Sequence, residues 1–273
     1  LILVVMLSRE LRPLKKLAQA LRWRSPESQE PLDPKGVPSE VRPLVESLNQ
    51  LFTRTHSMMV RERRFTSDAA HELRSPLTAL KVQTEVVQLS DDDPQTREKA
   101  LLQLHAGIER ATRLVDQLLT LSRLDSLDNL QDVADIPLEE LLQSAVMDIY
   151  HPAQLAHIDV RLQINAHNVK RTGQPLLLSL MVRNLLDNAI RYSPQGSIVE
   201  VTLNARFFSV KDNGPGVAAE VLTHIGERFY RPPGQSVTGS GLGLSIVRRI
   251  ATLHGMSASF GNAPEGGFEA KIS

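Results

Sequence analysis

The sequence contains no cysteine among its 273 residues. This absence excludes disulfide bonds, thiolate catalysis and cysteine-based zinc or iron–sulfur sites. Net charge is also absent, because 31 lysine and arginine residues balance 31 aspartate and glutamate residues. This balance argues against direct nucleic-acid binding, for which an excess of basic residues is typical. The length and the 41% apolar content indicate a folded protein of roughly two domains.

The sequence also lacks a long apolar run. Residues 1–7 are all apolar, whereas a membrane-spanning helix needs roughly 20 such residues. Four basic residues follow closely, namely Arg9, Arg12, Lys15 and Lys16. An apolar run followed by basic residues is typical of the cytoplasmic end of a transmembrane helix, and we predict that residues 1–7 are such an end. The alternative is the start of a buried strand or helix.

Two short heptad stripes flank a proline-rich connector near the N-terminus. The connector, residues 24–38, contains four prolines and a glycine, and it is too rich in proline for a helix. The stripes predict one amphipathic helix on each side of it. They consist of Leu7, Leu11, Leu14, Ala18 and Leu21 before the connector and of Val41, Leu44, Leu48, Leu51 and Thr55 after it. The pattern by itself indicates only helix, linker and helix.

A helical hairpin is predicted next. Residues 61–89 have helical spacing, Asp91-Asp92-Asp93-Pro94 breaks it, and a second helix follows. The apolar stripe of that second helix consists of Leu101, Leu104, Ile108, Ala111, Val115, Leu118 and Ser122. A hairpin with one apolar seam per helix does not bury both seams alone. We therefore expect two copies to form a four-helix bundle.

His71 lies on the first hairpin helix, about 200° from its inward stripe, and is predicted to face solvent. That stripe consists of Phe65, Ala69, Leu73, Leu77 and Leu80. Glu72, beside the histidine, can accept one ring proton and leave the other nitrogen free to attack. Pro76 removes a helical hydrogen bond and predicts a bend there. An exposed histidine without a function is the alternative.

The composition changes after residue 124. Residues 126–135 form a polar linker, and beyond it strand-like and helical segments alternate, which predicts a separate α+β domain over residues 136–273. The predicted strands are 158–164, 197–203, 207–210 and 268–272, and the predicted helices are 138–149, 174–192 and 242–254.

Glycine is concentrated in the second half of this domain, where seven of the 15 glycines fall between Asn213 and Gly243. The segment Gly239–Gly243 stands at the start of an apolar helix, where free amides and the helix dipole suit phosphate oxygens. The segment has neither the lysine of a P-loop nor the surrounding βαβ unit of a dinucleotide-binding motif.

Two further segments carry polar groups suited to a nucleotide. Asp212 follows a predicted strand, and its carboxylate is suited to accept a hydrogen bond from the exocyclic amine of a nucleotide base. The alternative is a plain turn with no ligand. Asn184, Asn188 and Arg191 share one face of a predicted helix, where amide oxygens suit Mg²⁺ and arginine suits phosphate. The alternative for this face is simple exposure to solvent.

Taken in this order, the segments resemble a sensor histidine kinase of a bacterial two-component system. The matching segments are Phe65–Thr78, which contains His71–Leu77 (H box), Asn184–Tyr192 (N box), Asp212–Gly216 (first glycine box), Arg228–Arg231 (F box) and Gly239–Gly243 (second glycine box). The resemblance implies an all-α HAMP domain and an all-α dimerisation hairpin, followed by an ATP-binding α+β sandwich of the Bergerat type. These domains would occupy residues 8–55, 56–125 and 136–273.

The resemblance also implies a role for each matching residue. His71 would take the γ-phosphoryl group of ATP with Glu72 as general base, and Asn188 would coordinate Mg²⁺. Asp212 would bind the adenine amine, and Ser75 stands where relatives often carry the residue that assists dephosphorylation of a response regulator. The other implied nucleotide-binding residues are Asn184, Arg191, Tyr192, Gly214, Gly216, Arg231, Gly239, Gly241, Gly243 and Leu244.

The implied partners are a second copy of the chain and the receiver domain of a response regulator. The chain would then be the cytoplasmic portion of a bacterial inner-membrane protein, with residues 1–7 ending a second transmembrane helix. The segment Pro232–Gly241 is predicted to be a lid that is poorly ordered without nucleotide. Two alternatives are an ATP-driven conformational clamp of the gyrase and heat-shock chaperone type and a non-enzymatic signalling scaffold.

Overall fold

The computed structural model describes residues 38–90, 93–127, 129–232 and 239–273, together with residues 15, 18–19, 21–23, 28 and 30–33. The chain divides into two compact units, Leu1–His71 and Glu72–Ser273. The predicted transmembrane end over residues 1–7 and most of the predicted lid lie outside the described residues. Among the helices that the structure describes, none is long and apolar enough to cross a membrane.

In the first unit, part of the connector is attached to helix α1 (Arg42–Leu89). The backbone N–H of Leu32 donates to Asn49 Oδ1 (2.7 Å), and Asn49 Nδ2 donates to the carbonyl oxygen of Leu32 (3.0 Å). Leu32 and Val45 are both buried. Helix α1 continues without a break past residue 55, so the predicted boundary between the HAMP domain and the hairpin stays a prediction.

The second unit begins with the end of α1 and helix α2 (Pro94–Ser126). The Asp93 carboxylate caps α2, because it accepts from the backbone N–H groups of Gln95 (3.1 Å) and Thr96 (3.2 Å) and from the Thr96 hydroxyl (2.6 Å). These hydrogen bonds hold the pKa of Asp93 below its ordinary value. Farther along, α1 and α2 approach closely, since a Cβ on Gly107 would lie 2.7 Å from Leu80 Cδ2.

Helix α2 has two apolar faces, of which the sequence analysis predicted one. The predicted stripe is largely exposed in a single chain: Leu101, Ile108 and Val115 are 46%, 49% and 40% exposed. The other face is buried and consists of Ala100, Gly107, Leu114, Leu121 and Leu124, and Leu118 of the predicted stripe is buried with them. The second face was missed because the partner that covers its C-terminal part belongs to the next domain, as described below.

The C-terminal domain is a two-layer α/β sandwich. In chain order its elements are β1 (Ala134–Pro137), α3 (Leu138–Leu155), β2 (Asp159–Ile164), β3 (Lys170–Gly173), α4 (Pro175–Tyr192), β4 (Ile198–Leu203), β5 (Phe208–Asp212), α5 (Ala219–Leu222), α6 (Gly243–Leu253), β6 (Ala258–Asn262) and β7 (Phe268–Ile272). Five strands form one mixed sheet in the order β2-β4-β5-β7-β6, in which only the β2–β4 pair is parallel, and β1 pairs with β3 separately.

Helices α3, α4 and α6 pack side by side against the five-stranded sheet. Their inward faces are mostly apolar and are completely buried at Leu142, Leu186 and Ile250, and they meet sheet residues such as Phe208 and Leu203. The predicted sandwich fold is therefore confirmed. Helix α2 also contacts α6, so the end of the hairpin packs against this domain.

Candidate functional site

A cleft of ≈ 310 Å³ lies where the end of β5, one face of α4 and the start of α6 converge. Ten predicted site residues line it, namely Asn184, Asn188, Arg191, Tyr192, Asp212, Gly216, Gly239, Gly241, Gly243 and Leu244. Gly214 and Arg231 are not among the lining residues. Segments that are up to 60 residues apart in the sequence therefore meet at one concave surface.

Asp212 is the last residue of β5 and is 4% exposed. Its Oδ1 accepts from the backbone N–H groups of Gly214 (2.9 Å) and Phe268 (3.1 Å). Burial raises the pKa of Asp212 above its ordinary value, and the two hydrogen bonds only partly oppose this effect. Within the described residues, Oδ2 accepts no hydrogen bond. The site thus holds a buried carboxylate oxygen that is available to a donor on a ligand.

Asn184 and Asn188 lie one turn apart on the face of α4 that borders the cleft. Asn184 Nδ2 donates to the carbonyl oxygen of Leu180 (2.8 Å). Within the described residues, neither Asn184 Oδ1 nor the Asn188 amide makes a hydrogen bond. The opposite face of α4 is buried by Val182, Leu185, Leu186 and Ala189. Apolar packing therefore holds the two amides toward the cleft, and their oxygens are the donor type that Mg²⁺ prefers.

The second glycine box needs glycine where it crosses the F box. Gly241 has φ +70°, and a Cβ there would lie 2.7 Å from the backbone carbon of Phe229. A Cβ on Gly239 would lie 3.2 Å from the Tyr192 hydroxyl oxygen. The loop before α6 therefore lies against the F box at Gly241 and against the end of α4 at Gly239.

Two charged residues of α4 that line the cleft, Arg183 and Asp187, were not predicted from the sequence. Arg183, Asp187 and Arg191 are spaced four residues apart and all line the cleft. Burial raises the pKa of Asp187, while Arg183, Arg191 and Arg113 act in the opposite direction. Arg183 and Asp187 lie one residue before Asn184 and Asn188 and have the same four-residue spacing, so the helical pattern in the sequence could have indicated them.

Helix α2 lines the cleft as well, through Arg113, Asp116, Gln117 and Thr120. No local pattern in the sequence marks these residues, because their position depends on how the hairpin packs against the next domain.

Asn262 is another residue near the cleft that was not predicted from the sequence. Its side chain accepts from the backbone N–H of Val217 (2.8 Å) and donates to the carbonyl oxygen of Val217 (2.6 Å). This pair of hydrogen bonds fixes the loop after Gly216.

The three remaining predicted residues belong to α1. His71 and Ser75 are exposed, as the position of the apolar stripe predicts for His71, and Glu72 is half-buried. The helix continues through Pro76. The chemical roles of these residues stay predictions.

Comparison with known proteins defines the class. Residues 11–57 match the family "Sensor protein PhoQ-like, HAMP domain", residues 61–127 match "His Kinase A (phospho-acceptor) domain", and residues 173–273 match "Histidine kinase-, DNA gyrase B-, and HSP90-like ATPase". Sensor protein BasS of Salmonella typhimurium is 32% identical over 249 residues, which cover 89% of this chain and 67% of BasS. The chain belongs to the sensor histidine kinase family, which confirms the resemblance read from the boxes.

Within this family the chain is 85% identical, over its full length, to sensor protein QseC of Salmonella typhimurium, and it spans 61% of the length of that relative. Among solved structures, histidine kinase ThkA in complex with response regulator protein TrrA is 20% identical with a TM-score of 0.65. That match covers 82% of this chain and 66% of the solved chain, and it shows a shared fold.

Proposed function

We propose that this chain is the kinase portion of a sensor histidine kinase and that it uses Mg·ATP to phosphorylate His71. The observation that carries the proposal is the buried Oδ2 of Asp212, which accepts no hydrogen bond from the described residues and lies in a cleft bordered by amide oxygens and arginines. This cleft lies in a domain of the ATPase family, and His71 lies exposed in a region of the phospho-acceptor family. The match to the phospho-acceptor family favours a kinase over an ATP-driven clamp or a scaffold.

The cleft residues fit a magnesium nucleotide. Asp212 Oδ2 would accept from the adenine amino group, Tyr192 and Leu244 would contact the base, and Arg191 would meet phosphate oxygens. Asn188, supported by Asn184, would hold Mg²⁺ through its amide oxygen. The magnesium ion, when bound, neutralises part of the phosphate charge. Gly214 acts through Asp212, to whose Oδ1 its N–H donates, and Arg231 is proposed to reach the γ-phosphate.

The phosphoryl group would transfer by attack of one His71 ring nitrogen on the γ-phosphorus. A phosphorus–nitrogen bond forms while the bond to the leaving oxygen of ADP breaks, and Glu72 accepts the proton of the other ring nitrogen. The protein contributes mainly position, because phosphoryl transfer asks for alignment rather than for covalent assistance. His71 suits this step because it is exposed and can meet an incoming nucleotide.

We propose that phosphohistidine then transfers its phosphoryl group to an aspartate of a response regulator. The solved complex of ThkA with TrrA supports this kind of partner. The exposed hydroxyl of Ser75, one turn from His71, is proposed to orient water when the regulator is dephosphorylated. The exposed stripe on α2 supports a homodimer in which a second copy covers Leu101, Ile108 and Val115.

The apolar run over residues 1–7 and the basic residues after it support attachment to a membrane. We propose that this chain forms the cytoplasmic portion of a bacterial inner-membrane protein. Fractionation of cells that express the full-length protein tests this, and the protein is expected in the inner-membrane fraction.

The kinase proposal is tested by incubating the chain with Mg²⁺ and ATP labelled on the γ-phosphate. We expect label that is stable in alkali and lost in acid, as for phosphohistidine. His71→Gln and Asn188→Ala should abolish it. His105→Gln, which removes another exposed histidine of the hairpin, should retain it. Absence of label in the unaltered chain, or equal label in His71→Gln, would overturn the proposal. Full ATP hydrolysis by His71→Gln without labelling would favour the clamp.

A further inference from the structure

Polar contacts at three points join α2 to the C-terminal domain. The Ser240 hydroxyl donates to Gln117 Oε1 (2.6 Å), and Arg228 Nη2 donates to Asp125 Oδ1 (2.7 Å). Arg249 donates to the carbonyl oxygens of Leu124 (Nε, 3.1 Å) and Leu127 (Nη2, 3.0 Å). On the hairpin, the contacts occupy one face over the last three turns of α2 and the residue after it.

The interface between α2 and the C-terminal domain also has an apolar part. Leu121 and Leu124, on the same stretch of α2, are 0% and 1% exposed, and α2 packs against α6. Burying a leucine side chain stabilises an interface more than a partly exposed ion pair does. Leucine packing therefore supplies most of the stabilisation of the contact between α2 and the C-terminal domain. The polar contacts fix how the two are aligned.

The interface continues into the cleft. Arg113, Asp116, Gln117 and Thr120 of α2 line the same concave surface as Asp212 and Asn188. Gln117 is the direct link, because the Ser240 hydroxyl that it binds also accepts from the N–H of Leu242, immediately before α6. A side chain of the hairpin thus holds the loop that the nucleotide phosphates would meet.

From this arrangement we infer that α2 is a wall of the nucleotide site and that Gln117 and Asp125 are positioning residues for it. The inference rests on the proposed nucleotide binding and adds a regulation to it: the nucleotide is retained while the domain is docked on α2 and is released faster when the domain detaches. Because coupling between two binding equilibria is reciprocal, bound nucleotide also strengthens docking. Arg113 adds a third cation to the cleft beside Arg183 and Arg191, which favours a phosphorylated ligand.

The test measures the affinity and dissociation rate of a fluorescent ATP analogue with Mg²⁺ on the full chain. Gln117→Ala and Asp125→Asn should each release the analogue roughly two- to tenfold faster, as expected for the loss of one hydrogen bond. Gln103→Ala and Glu98→Gln, matched changes on α2 outside the cleft, should leave the rate unchanged. Arg113→Glu should weaken binding, and the effect should shrink at high salt.

A charge exchange separates positioning from general damage. Asp125→Arg alone should speed release, and adding Arg228→Asp should restore part of the original rate, because that pair reforms with reversed sign while the ion pair of Asp125 with Arg249 (Oδ1 to Nε, 3.7 Å) does not. Thermal unfolding checks that each variant is folded. Unchanged release rates in folded Gln117→Ala, Asp125→Asn and Arg113→Glu would overturn this inference while leaving the kinase proposal intact. Failure of the unaltered chain to bind the analogue would instead contradict the proposed function.

Discussion

Replacing Asp212 with asparagine should change nucleotide binding and stability in opposite directions. Asparagine keeps an oxygen at the Oδ1 position, where it can still accept from the N–H groups of Gly214 and Phe268. It places an NH₂ group at the Oδ2 position, which then faces the cleft as a donor. The substitution therefore removes the acceptor for a ligand amine and also removes a buried charge.

The loss of affinity follows from the type of hydrogen bond. A hydrogen bond to a charged acceptor contributes about 1.5–3 kcal/mol, which corresponds to a change in Kd of roughly 10- to 150-fold. Equilibrium titration with Mg·ATP measures it. Asp148→Asn, a change of the same kind at an exposed position on α3, should leave Kd unchanged.

The gain in stability follows from the raised pKa of Asp212. A carboxyl whose folded pKa lies above its ordinary value of 3.8 has no effect on stability at lower pH, where it is protonated in both states. As pH rises through the raised pKa, the buried charge destabilises the folded state. Without nucleotide, Asp212→Asn should therefore unfold at higher urea than the unaltered chain at pH 7, and this advantage should vanish near pH 3.5. Unchanged ATP affinity, or lower stability at pH 7, would refute the reasoning.

Three further substitutions test other parts of the account. Leu121→Ala should lower the free energy of unfolding by about 2–5 kcal/mol in urea titrations, whereas Leu119→Ala, at a 52% exposed position, should change it by less than about 0.5 kcal/mol. Gly267→Ala should lower the free energy of unfolding far more than Gly266→Ala. Both glycines have positive φ, but only a Cβ on residue 267 would overlap the carbonyl of Asp212. Gly266→Ala should therefore lower the free energy of unfolding by about 1 kcal/mol and keep ATP binding. Ser75→Ala should keep autophosphorylation and lose most regulator dephosphorylation; equal dephosphorylation rates would remove Ser75 from that step.

The sequence predicted the elements whose apolar spacing is strong. Helix α4 is an example, since its buried residues recur at three and four positions from Leu178 to Ala189. Strands β1, β3 and β6 were missed because they are four or five residues long and carry little apolar alternation, as in Lys170–Gly173. Short strands of this kind form through pairing with distant partners, such as Ala134 with Gly173.

The candidate site was predictable where its residues are consecutive or one helical turn apart. Asp212 and the glycine box lie in motifs of consecutive residues, and Asn188 lies one turn after Asn184. The structure brings all of them to one cleft. Gln117 and Asn262 do not satisfy that condition. Gln117 reaches Ser240 across 123 residues and Asn262 reaches Val217 across 45, so neither contact leaves a local pattern. Packing between elements, rather than spacing within one element, decided these positions.

The central claim is that one histidine accepts the phosphoryl group, and locating that group by mass spectrometry tests it most directly. The full chain is incubated with Mg·ATP, digested at alkaline pH and analysed without acid treatment. We expect a single modified peptide, with the phosphate on His71 and lost after brief acid treatment. Phosphate on His105 or on a serine such as Ser75, or no modified peptide from a chain that binds ATP, would contradict the account.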